Sequence, residues 1–524
     1  MKRITAWLVT AALAVSMLAG CGAGPAPAAA PAAETADTGA ASAEQTASSA
    51  KTRTSGSSRA ENSFNIGIST APNTLDPALF ALQVEDEIIM QVYEPLVMTM
   101  NDGNIEPVLA ESFTVNDDNS VDFVLKEGVK YHSGDTLKAE DVEYSLSRIE
   151  NSAILAPVYG MIETEIQDDL HFTWTFPYAD QGVTFYALMP YLDAFCILNK
   201  SWADERLSSP TDQIGLEEDG TGAFCFESIA DNGDVTLKRF ADYHGEVSLD
   251  TVNLKIITGD EEMAFESGDL DMARYNKSTF DVVSAYANVH PESYPVNSVG
   301  FMIMNCAEGK PTADLRVRQA IAYALDREVI ASVASDDGGE VAYNLASPMV
   351  DYWADVADHF DQDVDKATSL LTEAGYSESN KVPLTLIVMG AYTEWISACE
   401  VIKEQLEQTY FTVNIEQTPD TDRYFTGDFD LGFLAIGLTT SFTSYQTMFS
   451  DLNLALYEGS DVQDAFAAIK DEATTQAAMK TVTESLAYLP LFYPYAFYIF
   501  DDQLNIGELY STFSGFLYKD FSWK

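Results

Sequence analysis

A strand–helix–strand pattern late in the chain constrains the fold more than any other feature. Pro383 to Met389 form an apolar run of strand length, Ile396 to Gln408 have the length and pattern of a helix, and Thr412 to Gln417 form a second strand. Strands that alternate with helices form a mixed sheet with the helices packed on its faces. The chain is therefore predicted to have an α/β fold.

The loop that follows the first of these strands contains two aromatic residues, Tyr392 and Trp395. Open α/β sheets place their ligands beyond the carboxyl ends of their strands. We therefore predict that Tyr392 and Trp395 contact a ligand.

The segment from Glu106 to Ile149 packs several elements into a short length. The turn formers Asn116 to Ser120 separate two β-prone runs, which predicts a hairpin. A helix is predicted after it, because apolar residues recur at i, i+4 and i+7: Val142, Leu146 and Ile149. No catalytic group stands out in this segment.

The first twenty residues have the features of an export signal. Two basic residues precede the apolar run Ile4 to Met17, which is too short to be read as a membrane span. The run ends in Leu-Ala-Gly-Cys, which resembles a bacterial lipobox, where the chain is cut before the cysteine and its thiol is joined to diacylglycerol. We predict a lipoprotein signal peptide at 1–20 and lipidation of Cys21; an ordinary secretory signal with an unrelated cysteine is the alternative.

Residues 21–62 consist mainly of Ala, Pro, Ser, Thr and Gly. Such a segment buries too little apolar surface to offset its conformational entropy, so it is predicted to be a disordered tether. The rest of the chain is long enough for two lobes with separate cores.

The charge balance excludes one class of partner. The chain has 28 Lys and Arg against 82 Asp and Glu, a net charge of −54. So acidic a surface repels nucleic acid. We interpret the charge as a solubility feature of an exported or salt-adapted protein, with a preference for a cationic ligand as the alternative.

The cysteines and histidines show no metal or redox spacing. The cysteines other than Cys21 are far apart and are predicted to be mostly buried free thiols, with one or two disulfides as the alternative: Cys196, Cys225, Cys306 and Cys399. The five histidines are equally scattered, and HExxH, GxSxG and P-loop motifs are absent from the sequence. No catalytic residue, metal site or cofactor is predicted.

The order of motifs resembles that of one protein family. Glu106 to Ile149 is similar to the signature segment of the solute-binding proteins that serve peptide and nickel ABC importers, the bacterial extracellular solute-binding protein family 5. Other similar stretches occur in the same order: Thr74-Leu75-Asp76-Pro77, Tyr93-Glu94-Pro95-Leu96, Gly220 to Phe224 and Leu315 to Arg327. The resemblance runs from residue 64 to about 436.

This resemblance implies a type II periplasmic-binding-protein-like fold, in which two α/β lobes close over a solute like a Venus flytrap. Lobe one is expected at 63–300, with an extra β-rich subdomain at about 106–219, lobe two at 301–480, and a return to lobe one at 481–524. The implied protein is a monomer and not an enzyme. It is lipid-anchored outside the bacterial cell membrane and delivers its solute to the permease subunits of an ABC importer.

The resemblance also implies cleft residues. It places the first loop of lobe one beside the ligand, which makes Phe80 and Gln83 candidates, with core packing as the alternative for Phe80. Peptide-binding members often read GW-x-x-DY-x-DP in the stretch where this chain carries four further candidates: Leu438, Ser441, Phe442 and Tyr445.

In those members the first aspartate pairs with the α-amino group of the peptide, but here Ser441 stands at its position and Leu438 replaces the tryptophan. A hydroxyl compensates poorly for the desolvation of an ammonium group. Either another acid holds the amine or the ligand is not a plain peptide.

Three ligand classes therefore stay open: an oligopeptide or modified peptide, nickel or another metal in a chelate, and a short saccharide. The rival class is a secreted hydrolase such as a glycosidase, which needs two carboxylates in a cleft. An adhesive lipoprotein is disfavoured, because adhesion needs no two-lobed cleft.

Overall fold

The computed structural model describes residues 51–54, 62–80, 83–100, 104–152, 155–177, 185, 188, 192–210, 212–257, 261–335, 338–350, 352–390, 392–419, 422–437, 442–450, 452–507, 509–510 and 515–524. The predicted signal peptide with Cys21 and most of the predicted tether lie outside these residues, as do Leu438 and Ser441.

The helices are, in chain order, α1 Gln83–Val92, α2 Ala139–Arg148, α3 Ala156–Tyr159, α4 Lys200–Asp204, α5 Glu261–Ser267, α6 Lys277–Val283, α7 Leu315–Ala324, α8 Arg327–Ala334, α9 Val364–Glu373, α10 Thr393–Leu406, α11 Asp422–Thr426, α12 Ser460–Ala467 and α13 Glu472–Glu484. Among the described residues, no helix is both long enough and apolar enough to cross a membrane.

The strands are β1 Ser63–Ile68, β2 Val97–Thr99, β3 Ile105–Pro107, β4 Ala110–Val115, β5 Val121–Leu125, β6 Glu163–Ile166, β7 His171–Thr175, β8 Phe224–Ile229, β9 Val235–Arg239, β10 Thr251–Ile256, β11 Met272–Tyr275, β12 Val289–Pro295, β13 Val299–Met304, β14 Gly339–Val341, β15 Val382–Met389, β16 Phe411–Thr418, β17 Leu431–Ile436, β18 Tyr488–Asp501, β19 Leu504–Asn505, β20 Leu509–Tyr510, β21 Gly515–Phe516 and β22 Ser522–Trp523.

One long strand joins the two halves of the main sheet. The main path of this mixed sheet runs β16-β15-β17-β13-β18-β11-β1-β10-β9-β8. The amino-terminal half of β18 pairs with β13, and its carboxyl-terminal half pairs with β11. Twelve of the fourteen residues of β18 are buried. This aromatic stretch therefore forms a buried core strand.

The side chains separate into two large cores and one small one. The first core is built from residues between Phe64 and Met272 together with residues between Ala496 and Phe521. The second is built from residues between Val299 and Tyr493. A small cluster around Phe265 and Ile499 packs beside the first. The chain thus returns to the first core near residue 494, and the predicted lobe boundaries stay predictions.

The first lobe carries a separate antiparallel sheet in the order β4-β5-β7-β6. The turn at Asn116 to Ser120 joins β4 to β5, so the predicted hairpin is confirmed. Aromatic rings fill the inner face of this sheet, with Phe123 stacked on Phe172 at 5.1 Å between ring centroids. The predicted helix after the hairpin is α2, and Asp141 at its third position accepts a hydrogen bond from the Lys138 backbone N–H.

The cysteines follow the prediction of free thiols. Cys196, Cys225, Cys306 and Cys399 are unpaired in the structure; the first and last are buried and the other two are half-buried.

Candidate functional site

Two short segments cross between the lobes side by side. One is 296–298, which links β12 to β13, and the other is 494–496 within β18. The Val296 N–H donates to the Pro494 carbonyl at 2.9 Å, which ties the crossings together. A bend at such a pair of crossings moves one lobe relative to the other with little change inside either core. We call these two segments the hinge.

The sheet of lobe two presents its carboxyl edge to the hinge. β15 runs parallel to β16 and to β17, so all three strands end at the same edge. The last residue of β17, Ile436, lies opposite Val299, the first residue of β13 after the hinge. The loops that follow β15 and β17 therefore start beside the hinge.

Lobe one is arranged in the same way. β1 runs parallel to β10 and β11, and these strands end at Ile68, Ile256 and Tyr275. Tyr275 lies opposite Phe497, just after the crossing within β18. The carboxyl edges of both sheets thus flank one hinge, where open α/β folds place their ligands. We call the space between these edges the interlobe cleft.

Tyr392 and Trp395 lie together at the lobe-two edge of this cleft. Their rings stack at 4.2 Å between centroids, at an interplanar angle of 23°. Tyr392 is half-buried, whereas Trp395 is only 7% exposed and contacts Phe433. Phe433 stacks in turn on Phe492, next to the crossing within β18. An aromatic chain therefore connects the cleft edge to the hinge.

The other described cleft candidates lie in hydrophobic cores. Phe80 belongs to the first core and is 7% exposed. Phe442 and Tyr445 are stacked on each other within the second core, where the Ser347 N–H donates to the Tyr445 hydroxyl. Gln83 begins α1, but its side chain lies outside the described part of the chain. Whether these residues contact a ligand stays a prediction.

Sequence reasoning missed an acidic pair at the lobe-one edge of the cleft. Glu261 is the first residue of α5, the next helix after β10, and its carboxylate accepts a hydrogen bond from the Arg274 N–H at 3.3 Å. Burial, assisted by the charge of Glu87, raises the pKa of Glu261 to about 7. Burial also raises the pKa of Glu87, which accepts a hydrogen bond from the Tyr518 hydroxyl. The signal available in the sequence was the acidic first turn of α5, which contains Glu261.

The Glu261→Gln variant is expected to lose one component of the pH dependence of stability. In the wild type the pKa of Glu261 rises from 4.5 to about 7 on folding, so the folded state binds this proton more tightly. The free energy of unfolding should therefore fall as the pH rises from about 4.5 to about 7, and this contribution is constant above that range. Urea denaturation across this range should show a smaller fall for Glu261→Gln. The control is Glu328→Gln, an exposed acid in the first turn of α8; an unchanged fall in Glu261→Gln would contradict the assignment.

A second buried carboxylate organises the base of lobe one. Glu94 accepts hydrogen bonds from the hydroxyl groups of Thr221 and Tyr243 and contacts His244 Nε2 at 2.8 Å. His244 lies in an exposed bend after β9, and 21% of its side chain is exposed. A small pocket lies beside Glu94. These groups satisfy one another, which is typical of a structural network.

Comparison with known families identifies one match. The family model described as "Bacterial extracellular solute-binding proteins, family 5 Middle" matches residues 104–453.

Two curated relatives illustrate the range of the similarity. The oligopeptide-binding protein OppA of Bacillus subtilis is 23% identical over 371 residues, which cover 62% of this chain and 65% of OppA. The nickel-binding periplasmic protein of Escherichia coli is 26% identical over 347 residues, covering 60% of this chain and 64% of that protein. The chain thus spans slightly less than two thirds of the length of each relative.

A solved structure shows the same fold over a greater length. The oligopeptide-binding protein AppA from Bacillus subtilis, in complex with a nonapeptide, superposes with a TM-score of 0.67 and 21% identity, covering 88% of this chain and 99% of AppA. The fold is the two-lobed α/β fold of periplasmic binding proteins, as predicted.

Proposed function

Because the chain belongs to family 5 of the bacterial extracellular solute-binding proteins, we propose that it captures an oligopeptide or modified peptide between its lobes and delivers it to the permease of an ABC importer. The observation that carries this proposal is the pair of carboxyl sheet edges that flank one hinge. A solute that touches both edges favours the closed arrangement by its difference in affinity for the closed and open forms. The role is binding and release without chemical change.

The cleft edges offer complementary contacts for a peptide. On lobe two, Tyr392 and Trp395 form an aromatic surface that suits an apolar side chain or a planar group. On lobe one, Glu87 and Glu261 supply carboxylates that can pair with the α-amino group. Under this proposal lobe one supplies the acid for the amine, in place of the aspartate that Ser441 replaces in the sequence. The acidic net charge of the chain agrees with a ligand that carries an amine.

The amino-terminal segment supports a proposal for where the protein is located in the cell. Cleavage before Cys21 and lipidation of its thiol would anchor the protein to the outer face of the cell membrane, and the tether would let the lobes reach the permease. We propose a monomer that remains on this surface.

Mass spectrometry of molecules released by denaturing the purified protein tests the proposal. We expect a set of short peptides, because a closed cleft retains its solute during purification. A metal chelate or a short saccharide in their place would contradict the peptide proposal and leave the receptor proposal standing. Turnover of a released compound by the protein, lost on acid-to-amide changes in the cleft, would favour the hydrolase class.

The Tyr392→Ala variant should retain less peptide while its thermal stability stays near that of the wild type. Tyr392 is half-buried and stacks on Trp395 at the cleft edge, so its ring is available to a ligand. The matched control is Tyr410→Ala, because Tyr410 is also half-buried against the second core but precedes β16, at the opposite end of the sheet. Equal retention in both variants would exclude Tyr392 from the binding surface.

A metal chelate is the second candidate ligand. The similarity to a nickel-binding periplasmic protein favours it, and the stacked rings of Tyr392 and Trp395 also suit a planar chelator. Short saccharides, which stack on aromatic rings, are the third candidate.

A further inference from the structure

Three possible metal ligands converge in lobe one, far along the sheet from the interlobe cleft. His132 lies in the turn after β5, Glu218 lies in the loop before β8, and Cys225 is the second residue of β8. One ligand atom from each residue lies within 4.8 Å of the other two. All three residues are half-buried, and only 7% of the side chain of His132 and of Glu218 is exposed.

The hydrogen bonds around this group fix which atom of His132 faces the other two residues. The Nε2 atom lies 2.9 Å from the Gly222 carbonyl oxygen, which can only accept a hydrogen bond, so Nε2 carries a proton. The Nδ1 atom faces Glu218 Oε2 at 2.7 Å. Metal-binding histidines show this arrangement, with one ring nitrogen held by a carbonyl and the other turned to the ion.

Backbone hydrogen bonds also fix the position of the Glu218 carboxylate. Its Oε1 atom accepts a hydrogen bond from the Phe226 N–H at 3.1 Å, and its Oε2 atom accepts one from the Gly220 N–H at 3.0 Å. The ring of His132 also packs edge-on against Phe240, at 4.8 Å between centroids. The side chains are therefore held in place by the backbone and by packing before any ion arrives.

We propose that His132 Nδ1, Glu218 Oε2 and Cys225 Sγ bind a Zn²⁺ ion, with water as the fourth ligand. A mixed nitrogen, oxygen and sulfur set suits Zn²⁺, whereas Ca²⁺ and Mg²⁺ prefer oxygen alone. The ion takes the place of the proton between Nδ1 and Oε2, and the Cys225 thiol releases its proton to solvent.

The required movement is small. Zinc–nitrogen and zinc–oxygen bonds of about 2.0–2.2 Å at a tetrahedral angle separate the two ligand atoms by roughly 3.3 Å. Nδ1 and Oε2, now 2.7 Å apart, must therefore move apart by a fraction of an ångström.

The position of the site indicates its role. His132 precedes α2 in the β-rich subdomain, whereas Cys225 belongs to the main sheet of lobe one. An ion shared by them fastens the subdomain to that sheet. This role is separate from ligand capture in the cleft.

Titration of the full chain with Co²⁺, a spectroscopic substitute for Zn²⁺, tests the site. We expect one equivalent to produce a thiolate-to-cobalt charge-transfer absorption band, and Zn²⁺ to abolish it by displacement. The Cys225→Ser variant should lose the band and bind Zn²⁺ at least roughly 10–100-fold more weakly, the loss that even outer partners of a metal site cause. Zn²⁺ should also raise the Tm of the wild type and not that of Cys225→Ser.

The control is Cys306→Ser, because Cys306 is also a half-buried free thiol but lies in lobe two. It should keep the band and the Zn²⁺-dependent rise in Tm. A wild type without the band, or a band that persists in Cys225→Ser, would overturn the proposal. Because Cys225→Ser leaves the cleft intact, a metal chelate bound there would survive the substitution, which distinguishes this site from the metal-chelate function.

Discussion

Replacing Arg148 with Met should destabilise the protein by about 3–5 kcal/mol, the cost of leaving one charge of a buried pair without its partner. Arg148, the last residue of α2, is 1% exposed, and its Nη2 atom donates to Asp76 Oδ2 at 2.5 Å. Asp76 is fully buried in the turn after β1. Chemical denaturation of the variant and the wild type at neutral pH measures the loss.

The loss in Arg148→Met should become smaller as the pH falls. Burial raises the pKa of Asp76, and the charge of Arg148 opposes this rise. Without Arg148 the pKa of Asp76 rises further, so the folded variant binds this proton more tightly than the unfolded chain does. Its stability is then lost as the pH rises through the folded-state pKa and regained on acidification, when Asp76 becomes neutral.

The matched control is Lys200→Met, which breaks the exposed pair between Lys200 and Asp204 at 2.8 Å. Exposed pairs four residues apart on a helix contribute only about 0.3–0.5 kcal/mol. If the loss of stability in Arg148→Met were no larger than that in Lys200→Met, the buried pair of Arg148 and Asp76 would not hold α2 to the turn after β1.

Replacing Gly300 with Ala should cost about 1–3 kcal/mol or more, because the added methyl group overpacks the crossing between the lobes. A Cβ at Gly300 would lie 2.0 Å from Cε1 of Phe492. Phe492 is itself buried and stacked on Phe433, so its ring has little room to move. A thermal melt compares the variant with Gly515→Ala, a strand position where an added Cβ meets nothing within 4 Å.

A second substitution tests whether the clash with Phe492, and not the Ala side chain as such, causes the loss of stability in Gly300→Ala. Phe492→Leu removes the atoms that the new methyl group would meet, so the double variant Gly300→Ala/Phe492→Leu should be more stable than the sum of the single losses predicts. Additive losses would show that the ring of Phe492 does not determine the cost at Gly300. Because Gly300 and Phe492 pair beside the hinge, Gly300→Ala should also change ligand retention.

The elements with strong local patterns were predictable from the sequence. Turn residues and apolar periodicity report local geometry and local burial. They predict the hairpin at Asn116 to Ser120, the helix α2 and the parallel strands β15 and β16. The resemblance to the family motifs added the prediction of a two-lobed fold. Within the family-like stretch from Leu315 to Arg327 the helix ends at Ala324, where Leu325 adopts an extended conformation.

The candidate site was less predictable, because a cleft is made by residues that are distant in the chain. Phe442 and Tyr445, which the family resemblance makes cleft candidates, pack in the second core, and their contact with a ligand stays a prediction. The charge of Glu87 raises the pKa of Glu261 although a whole subdomain separates the two residues in sequence. Local sequence patterns do not predict contacts between residues that are distant in the chain.

The sequence by itself determined the α/β class, the hairpin at Asn116 to Ser120 and the helix α2 after it, because each depends on neighbours a few residues away. Only the tertiary structure decided that both carboxyl sheet edges flank one hinge, and that His132, Glu218 and Cys225 converge. The physical reason is that strand pairing and loop closure bring these groups together, and the free energy of those contacts is spread over the whole core rather than over any one segment.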